Sequence, residues 1–378
     1  IRDRDRRSCN GATKRSTTLN PIRTMNAQTA QSRPAESYDL FDGFIRYGTE
    51  TPTVPITESQ ARNIPLLGTN PSPSSRHFIE SNTKSVDLAH LKQDCVVPVF
   101  SKDNEVTVSH QNFIETVWSA AHKQFPCEVI DQPEIRVSHI VKGRIPEAIH
   151  KPVGQLLESD KTIYYERMMF CFEIPSVYEE IEGNRLNLSV GGVRAYNHEN
   201  LYSKKTAEKF RVFIGFKNLV CCNLCVSTDG YQNELRAMSV QDLFDATLRL
   251  FLSYDAERHV KRMSAMREQY LTERQFAQLI GKTRLYQYLP QTERKGLPAM
   301  EFTDSHINAV AKAYYCDEHF SRGNDSAIDL WRVYNLFTGA NKSSYIDTFL
   351  DRSLNATRLI EGIGKAIEGD ARYGWFIE

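Results

Sequence analysis

The chain lacks a long apolar run and has few cysteines. No stretch approaches the roughly 18–20 consecutive apolar residues that a membrane-spanning helix needs, and no apolar signal-peptide segment opens the sequence. Eight cysteines in 378 residues are too few for a disulfide scaffold, and the seven that follow Cys9 are an odd number. We therefore expect reduced thiols, no membrane partner and a cytoplasmic location.

Common catalytic signatures are also missing. The sequence holds no Gly-x-Ser-x-Gly, His-Glu-x-x-His, kinase or Walker-type motif. Glu166 and Glu173, two acids on one predicted strand, are an odd number of residues apart and so face opposite sides of that strand. These absences favour a protein that is not an enzyme and that carries no cofactor.

Charge is balanced over the whole chain but not along it. The formal net charge is zero, yet residues 1–24 carry seven Lys and Arg against two acids, which leaves −5 from Met25 onward. A body with this balance has no globally basic surface, so any nucleic-acid binding must rest on a local patch. Met25 resembles a start site, and we expect residues 1–24 not to belong to the native protein.

The chain divides into three parts by pattern. Six prolines between residues 26 and 75 interrupt any helix or strand, so we expect residues 1–75 to be a leader and a Pro-rich mobile segment. Residues 76–238 alternate in polarity, as in 210–216, which predicts a β-rich domain with an antiparallel curved sheet and a few helices.

After residue 238 the apolar pattern takes the period of a helix. Residues 239–378 therefore predict an all-helical domain, and the fold class predicted for the chain is α+β. The helix N-termini are predicted at Ser239 with Asp242, at Thr272 with Gln275, at Thr303, at Ser326 and near Asn355. Before the boundary, Ser109 is predicted to cap a helix.

Two stretches that combine basic and aromatic residues predict contacts with DNA or RNA. Cations can hold phosphates and tyrosines can stack on bases, while the glycines at 191 and 192 permit close approach of the backbone. The alternatives are a solvated strand edge and a hairpin loop whose aromatics cover the sheet. The predicted nucleic-acid-binding residues are Arg136, Lys142, Arg144, Arg194, Tyr196, His198, Tyr202, Lys204 and Lys205.

A Cys-x-x-Cys pair, Cys222 and Cys225, has the spacing to share a metal ion or a disulfide. A second pair at matching spacing is missing, and the run continues an apolar segment from residue 216 to 226. Burial in the core is the favoured interpretation. Metal binding and redox chemistry are the alternatives.

Residues 191–202, 216–222 and 334–355 resemble a bacterial family known only as a domain of unknown function, common in gut anaerobes, over about residues 64–378. More distantly, residues 135–148 and 331–347 are similar to the phage/plasmid-like protein family carried on prophages and plasmids. The second resemblance implies a mobile-element context. Neither resemblance implies catalytic residues.

Three functional hypotheses follow. The first is a nucleic-acid-binding accessory of a mobile element, acting in replication, recombination or anti-restriction. The second is a protein-interaction or oligomerising module that binds a host or mobile-element protein. The third is a metal-dependent enzyme that uses Cys222 and Cys225.

Overall fold

The computed structural model describes residues 77–95, 107–198 and 207–378. The strands are β1 (Lys84–Val86), β2 (Glu134–Val137), β3 (Ile140–Arg144), β4 (Lys161–Tyr165), β5 (Arg167–Ile181), β6 (Asn184–Ala195), β7 (Glu208–Asn218), β8 (Leu224–Cys225), β9 (Tyr231–Ala237), β10 (Tyr270–Leu271) and β11 (Ile328–Asp329). The helices are α1 (Leu88–Gln93), α2 (His110–Gln124), α3 (Val240–Ser253), α4 (Ala256–Ala265), α5 (Glu273–Tyr286), α6 (Gln291–Arg294), α7 (Asp304–Cys316), α8 (Leu330–Asn341), α9 (Ile346–Ile367) and α10 (Ala371–Gly374). No helix in this part of the chain is both long and apolar enough to cross a membrane.

A seven-stranded antiparallel sheet forms the first part of the fold. Its strands are ordered β1-β2-β5-β6-β7-β8, and β9 also pairs with β7. The sheet curls into a half-barrel and is followed by helices, which confirms the predicted α+β class. The strands β3 and β4 form a separate two-stranded sheet.

The longest strands, β5 and β6, form a tight hairpin. Ile181 pairs with Asn184, so only Glu182 and Gly183 connect the strands. Both connecting residues have positive φ, +54° and +73°. A two-residue turn with both central residues in this region matches the right-handed twist of the strands that it joins.

Helices cover both faces of the sheet. On one face, Phe113 of α2 packs against Phe170 and Phe210, with ring centroids 5.2 and 4.9 Å apart respectively. On the other face, Phe213 lies in a second buried cluster with Phe349 of α9. Because side chains alternate along a strand, neighbouring residues of β5, β6 and β7 belong to different clusters.

Local capping chemistry starts most of the predicted helices. Ser109, Ser239 and Thr272 each accept a hydrogen bond from the backbone amide three residues later. Thr303 precedes the first residue of α7, as predicted. These helix starts are confirmed.

Two predicted helix starts are wrong. Ser326 has a φ of +65° in a turn, and α8 begins after Asp329, whose carboxylate accepts from the amide of Arg332. Asn355 lies inside α9, where its amide donates to the carbonyl of Ala299. Each of these polar side chains serves a tertiary or turn contact that resembles a cap only in sequence.

The change from strands to helices falls between Ala237, the end of β9, and Val240, the start of α3. Buried apolar residues from both parts nevertheless join one continuous core, which includes Phe210 of the sheet and Phe251 of α3. The division into two domains at this point stays a prediction.

Candidate ligand pocket and the predicted basic residues

A cavity of about 320 Å³ opens where β6, β7 and β9 reach the same end of the sheet. A volume of this size suits a small ligand or one unit of a larger one. The pocket is lined by Val193, Ala195, His198, Lys209, Arg211, Asn233 and Glu234.

Strand periodicity sets most of the lining. Lys209 and Arg211 are two residues apart on β7 and therefore project from the same face. Arg211 pairs with Val193 of β6 in the sheet register, which puts an apolar side chain beside its stem. His198 ends the short 3-10 turn that follows β6.

Helix α9 holds the Arg211 side chain in place. Asp347 and Asp351 are four residues apart and so lie on one face of α9. Arg211 Nη1 donates to Asp351 Oδ2 at 3.1 Å and also to the Asp347 backbone carbonyl. The phenol of Tyr231 donates to Asp351 Oδ1 at 2.9 Å. Burial first, and then the charge of Asp351, raises the pKa of Tyr231, so the phenol remains a donor.

The Asp347 carboxylate lies between the His198 imidazole and the Arg167 guanidinium, beside the pocket. Its Oδ2 is 3.4 Å from His198 Nε2 and 3.7 Å from Arg167 Nε. The His198 side chain is nearly half exposed, whereas that of Asp347 is mostly buried. The imidazole can therefore contact both a ligand and the protein.

A like-charge pair lies beside the pocket: Lys209 lines the cavity, and Arg236 lies next to it outside the lining. Lys209 and Arg236 lie directly opposite each other in the β7–β9 register. Like charges in this position repel. Glu234 bridges them, with Oε1 2.7 Å from Lys209 Nζ and Oε2 3.0 Å from Arg236 Nη2. Hydrogen bonds from these two cations lower the pKa of Glu234, first that from Lys209.

The predicted cations that lie within the described residues are not gathered into one groove. Arg136 pairs with Met169 of β5 and Arg194 pairs with Met168, so the two guanidinium groups lie on opposite faces of the sheet. Arg136 donates from Nε to Thr83 Oγ1 at 3.0 Å and is 7% exposed. Both side chains are used in folding contacts.

Arg194 and Tyr196 are buried. Arg194 pairs with Glu208, donates to the Val108 carbonyl, and lies 4.6 Å from the ring centroid of Tyr196. The Tyr196 ring also stacks on His110, with centroids 4.5 Å apart. Neither side chain is placed on a surface where a nucleic acid could reach it.

Lys142 and Arg144 lie on the β3–β4 sheet, apart from the seven-stranded sheet. Lys142 is exposed, while Arg144 Nη1 donates to the Lys151 carbonyl at 2.8 Å. Three further predicted residues, Tyr202, Lys204 and Lys205, are outside the described residues. Among the predicted residues that the structure describes, only His198 lines the pocket.

The glycines at 191 and 192 serve packing within the sheet. The strand β6 continues through both of them to Ala195. A Cβ on Gly192 would lie 2.5 Å from the ring of Phe113. The backbone at Gly192 is therefore approached closely, but by the core side chain of Phe113 from α2.

The sequence did not indicate four residues that line the pocket: Lys209, Arg211, Asn233 and Glu234. The spacing of Lys209 and Arg211 was a weak signal, because alternate cations on a strand occur on many solvated faces. Their significance depends on the pairing of β7 with β9, which brings together residues about 25 positions apart.

The described cysteines are free thiols. Cys225 is fully buried, and burial raises its pKa; burial also raises the pKa of Cys221 to about 12. A thiolate is the form that binds metal or attacks, so burial opposes both roles. Within residues 77–95, 107–198 and 207–378, no group of three or more His, Cys, Asp or Glu could hold a metal ion.

The fold and the pocket together describe an α+β protein with a curled antiparallel sheet, helices on both faces of that sheet, and a pocket with basic side chains at the ends of three strands. A family model described as "Domain of unknown function, B. Theta Gene description (DUF3871)" matches residues 59–377, and the chain belongs to this family. No curated protein and no solved structure matched the chain. The expected membership of a family of unknown function is confirmed, and the wider phage/plasmid-like similarity stays a prediction.

Proposed function

We propose that this protein binds nucleic acid and that the pocket at the ends of β6, β7 and β9 holds one of its phosphate groups. The observation that carries the proposal is the convergence of His198, Lys209 and Arg211 on one cavity of about 320 Å³. Lysine, arginine and histidine side chains are the groups that hold phosphate oxygens in protein–nucleic acid complexes.

The proposal revises the predicted contact set. Arg136, Arg194 and Tyr196 leave it because folding contacts bury them. His198 remains, and Lys209 and Arg211 join it. Tyr202, Lys204 and Lys205 remain as predictions, since the sequence connects them directly to His198 on one side and to β7 on the other.

Lys142 and Arg144 remain as predictions too, with Lys142 the more available because it is exposed. A role as an accessory of a mobile element, in replication, recombination or anti-restriction, remains part of the proposal. It rests on the resemblance of residues 135–148 and 331–347 to the phage/plasmid-like family.

The charge distribution sets the expected strength of binding. The His198, Lys209 and Arg211 side chains each have a carboxylate nearby, and the chain from Met25 onward has a net charge of −5. Long-range attraction of a polyanion is therefore small. We expect micromolar affinity that falls steeply with salt, because a few local phosphate contacts supply most of it.

Fluorescence anisotropy with labelled single-stranded and double-stranded DNA, from about 50 to about 200 mM salt, tests the proposal. The double variant His198→Gln/Lys209→Gln should lose about tenfold or more in affinity. Lys312→Gln on the exposed side of α7 is the matched control and should bind like the wild type. Absence of salt-sensitive binding by the wild-type protein would contradict the proposal.

Two alternatives are tested with the same purified protein. A protein-interaction or oligomerising module, suggested by the acidic balance of the body, is favoured if DNA does not bind and the measured mass exceeds that of one chain. A metal-dependent enzyme at Cys222 and Cys225 requires bound metal, which elemental analysis of the purified protein would detect.

A further inference from the structure

We infer that the pocket selects a terminal phosphate monoester, such as a phosphorylated strand end, over the internal phosphodiesters of a strand. This inference rests on the proposed function, and it assigns to Glu234 the role of a built-in counterion that sets the charge a ligand must carry.

Two cations lie opposite each other on neighbouring strands beside the pocket. Lys209 and Arg236 are direct partners in the register, and both side chains are between one third and three fifths exposed. One carboxylate, Glu234, serves both of them, with one oxygen for each cation. The group of three therefore keeps one positive charge and is complementary to an anion.

A ligand that contacts both cations directly must replace Glu234 at each of them, because each carboxylate oxygen already serves one cation. An internal phosphodiester carries one negative charge, the same as the carboxylate that it would displace. A phosphate monoester carries about −1.5 to −2 near neutral pH and has three terminal oxygens, so it can contact both cations and still neutralise the residual charge.

The Arg211 side of the pocket does not distinguish a phosphate monoester from a phosphodiester. Arg211 is already held by Asp351 and by the carbonyl of Asp347, which leaves it able to donate to a ligand but compensated in charge. The apolar lining comes from Val193 and Ala195. A cavity of about 320 Å³ accommodates one phosphorylated unit rather than several successive nucleotides.

The experiment compares one short labelled oligonucleotide with a 5′-phosphate and with a 5′-hydroxyl, bound to the full chain near pH 7.5. We expect the phosphorylated probe to bind at least about tenfold more tightly. Glu234→Gln should strengthen binding of the hydroxyl probe and reduce the preference to less than about threefold. Glu257→Gln, an exposed acid on α4, is the control and should keep the preference.

The outcomes separate the two claims. Equal binding of both probes by the wild type, with salt-sensitive affinity retained, overturns the monoester inference and leaves the proposed function standing. A preference that Glu234→Gln does not change overturns the role of Glu234. If neither probe binds to either protein, the proposed function itself fails. A nucleoside 5′-monophosphate tested as a competitor distinguishes a strand end from a free nucleotide as the source of the monoester.

Discussion

Arg194 on β6 and Glu208 on β7 form an ion pair in which the arginine side chain has no exposed surface. Glu208 also accepts hydrogen bonds from the Val108 amide at 3.0 and 3.2 Å, and the Arg194 guanidinium lies over the ring of Phe210. A basic residue that the sequence indicated as a phosphate contact is therefore part of the core. It joins the start of α2 to two strands of the sheet.

Removal of the arginine should destabilise the fold strongly. Arg194→Met leaves the Glu208 carboxylate without its buried partner, which costs about 3–5 kcal/mol of unfolding free energy. The double variant Arg194→Met/Glu208→Gln removes both charges and should recover much of the loss. Urea unfolding of the three proteins measures this, and a single variant within about 0.5 kcal/mol of wild type would contradict the assignment.

Glycine substitutions should have opposite effects at two positions. A Cβ on Gly191 would overlap the Phe170 carbonyl of the neighbouring strand, so Gly191→Ala should cost about 3 kcal/mol. Gly281 lies in α5 with no atom within 4 Å of a built Cβ, and Gly281→Ala should stabilise by about 0.5–1 kcal/mol. Thermal unfolding measures the change in stability of both variants. A change of the same sign in the two variants would contradict the packing described.

Stability should fall as the pH falls below neutrality. Burial lowers the pKa of His110 to about 3, with the Arg194 charge contributing, and burial lowers that of His259 to about 4. An unfolded histidine has a pKa near 6.5, so between pH 6.5 and 4 only the unfolded chain takes up these protons. The free energy of unfolding therefore decreases with falling pH, by about 2 kcal/mol for each histidine between pH 7 and pH 5.

Urea unfolding at several pH values measures this slope. His259→Gln keeps a polar group beside the Tyr254 hydroxyl, to which the His259 Nδ1 is hydrogen-bonded at 2.7 Å, but does not titrate in this range. The free energy of unfolding of this variant should depend less steeply on pH than that of the wild type, and the difference should equal the contribution of one histidine. An unchanged slope would mean that His259 is not the buried neutral group described.

Thiol reactivity should follow burial. In a Cys9→Ser background, the exposed Cys127 and Cys316 should react rapidly with a disulfide reagent under native conditions. Cys171 and Cys225 are buried with raised pKa values, and they should react only after unfolding. Rapid native reaction of Cys225 would favour an accessible Cys222–Cys225 site.

Local sequence patterns by themselves determined several elements of this fold. Alternation in residues 210–216 indicated the β7 strand, and the side chains of Ser109, Ser239 and Thr272 located three helix starts. These signals are local, because a strand period or a cap involves residues only a few positions apart. The switch from sheet to helices near residue 239 followed from the same local patterns.

Only the tertiary structure decided which polar residues form a site. Arg194 and Arg211 both lie on long strands of the sheet, yet one lies in the core beside Glu208 and the other lines the pocket. The difference arises because strand pairing selects the face, and the helix packed on that face determines whether a charge is enclosed or exposed. Lys209 and Glu234 become neighbours only when β7 pairs with β9, a long-range contact that no local pattern encodes.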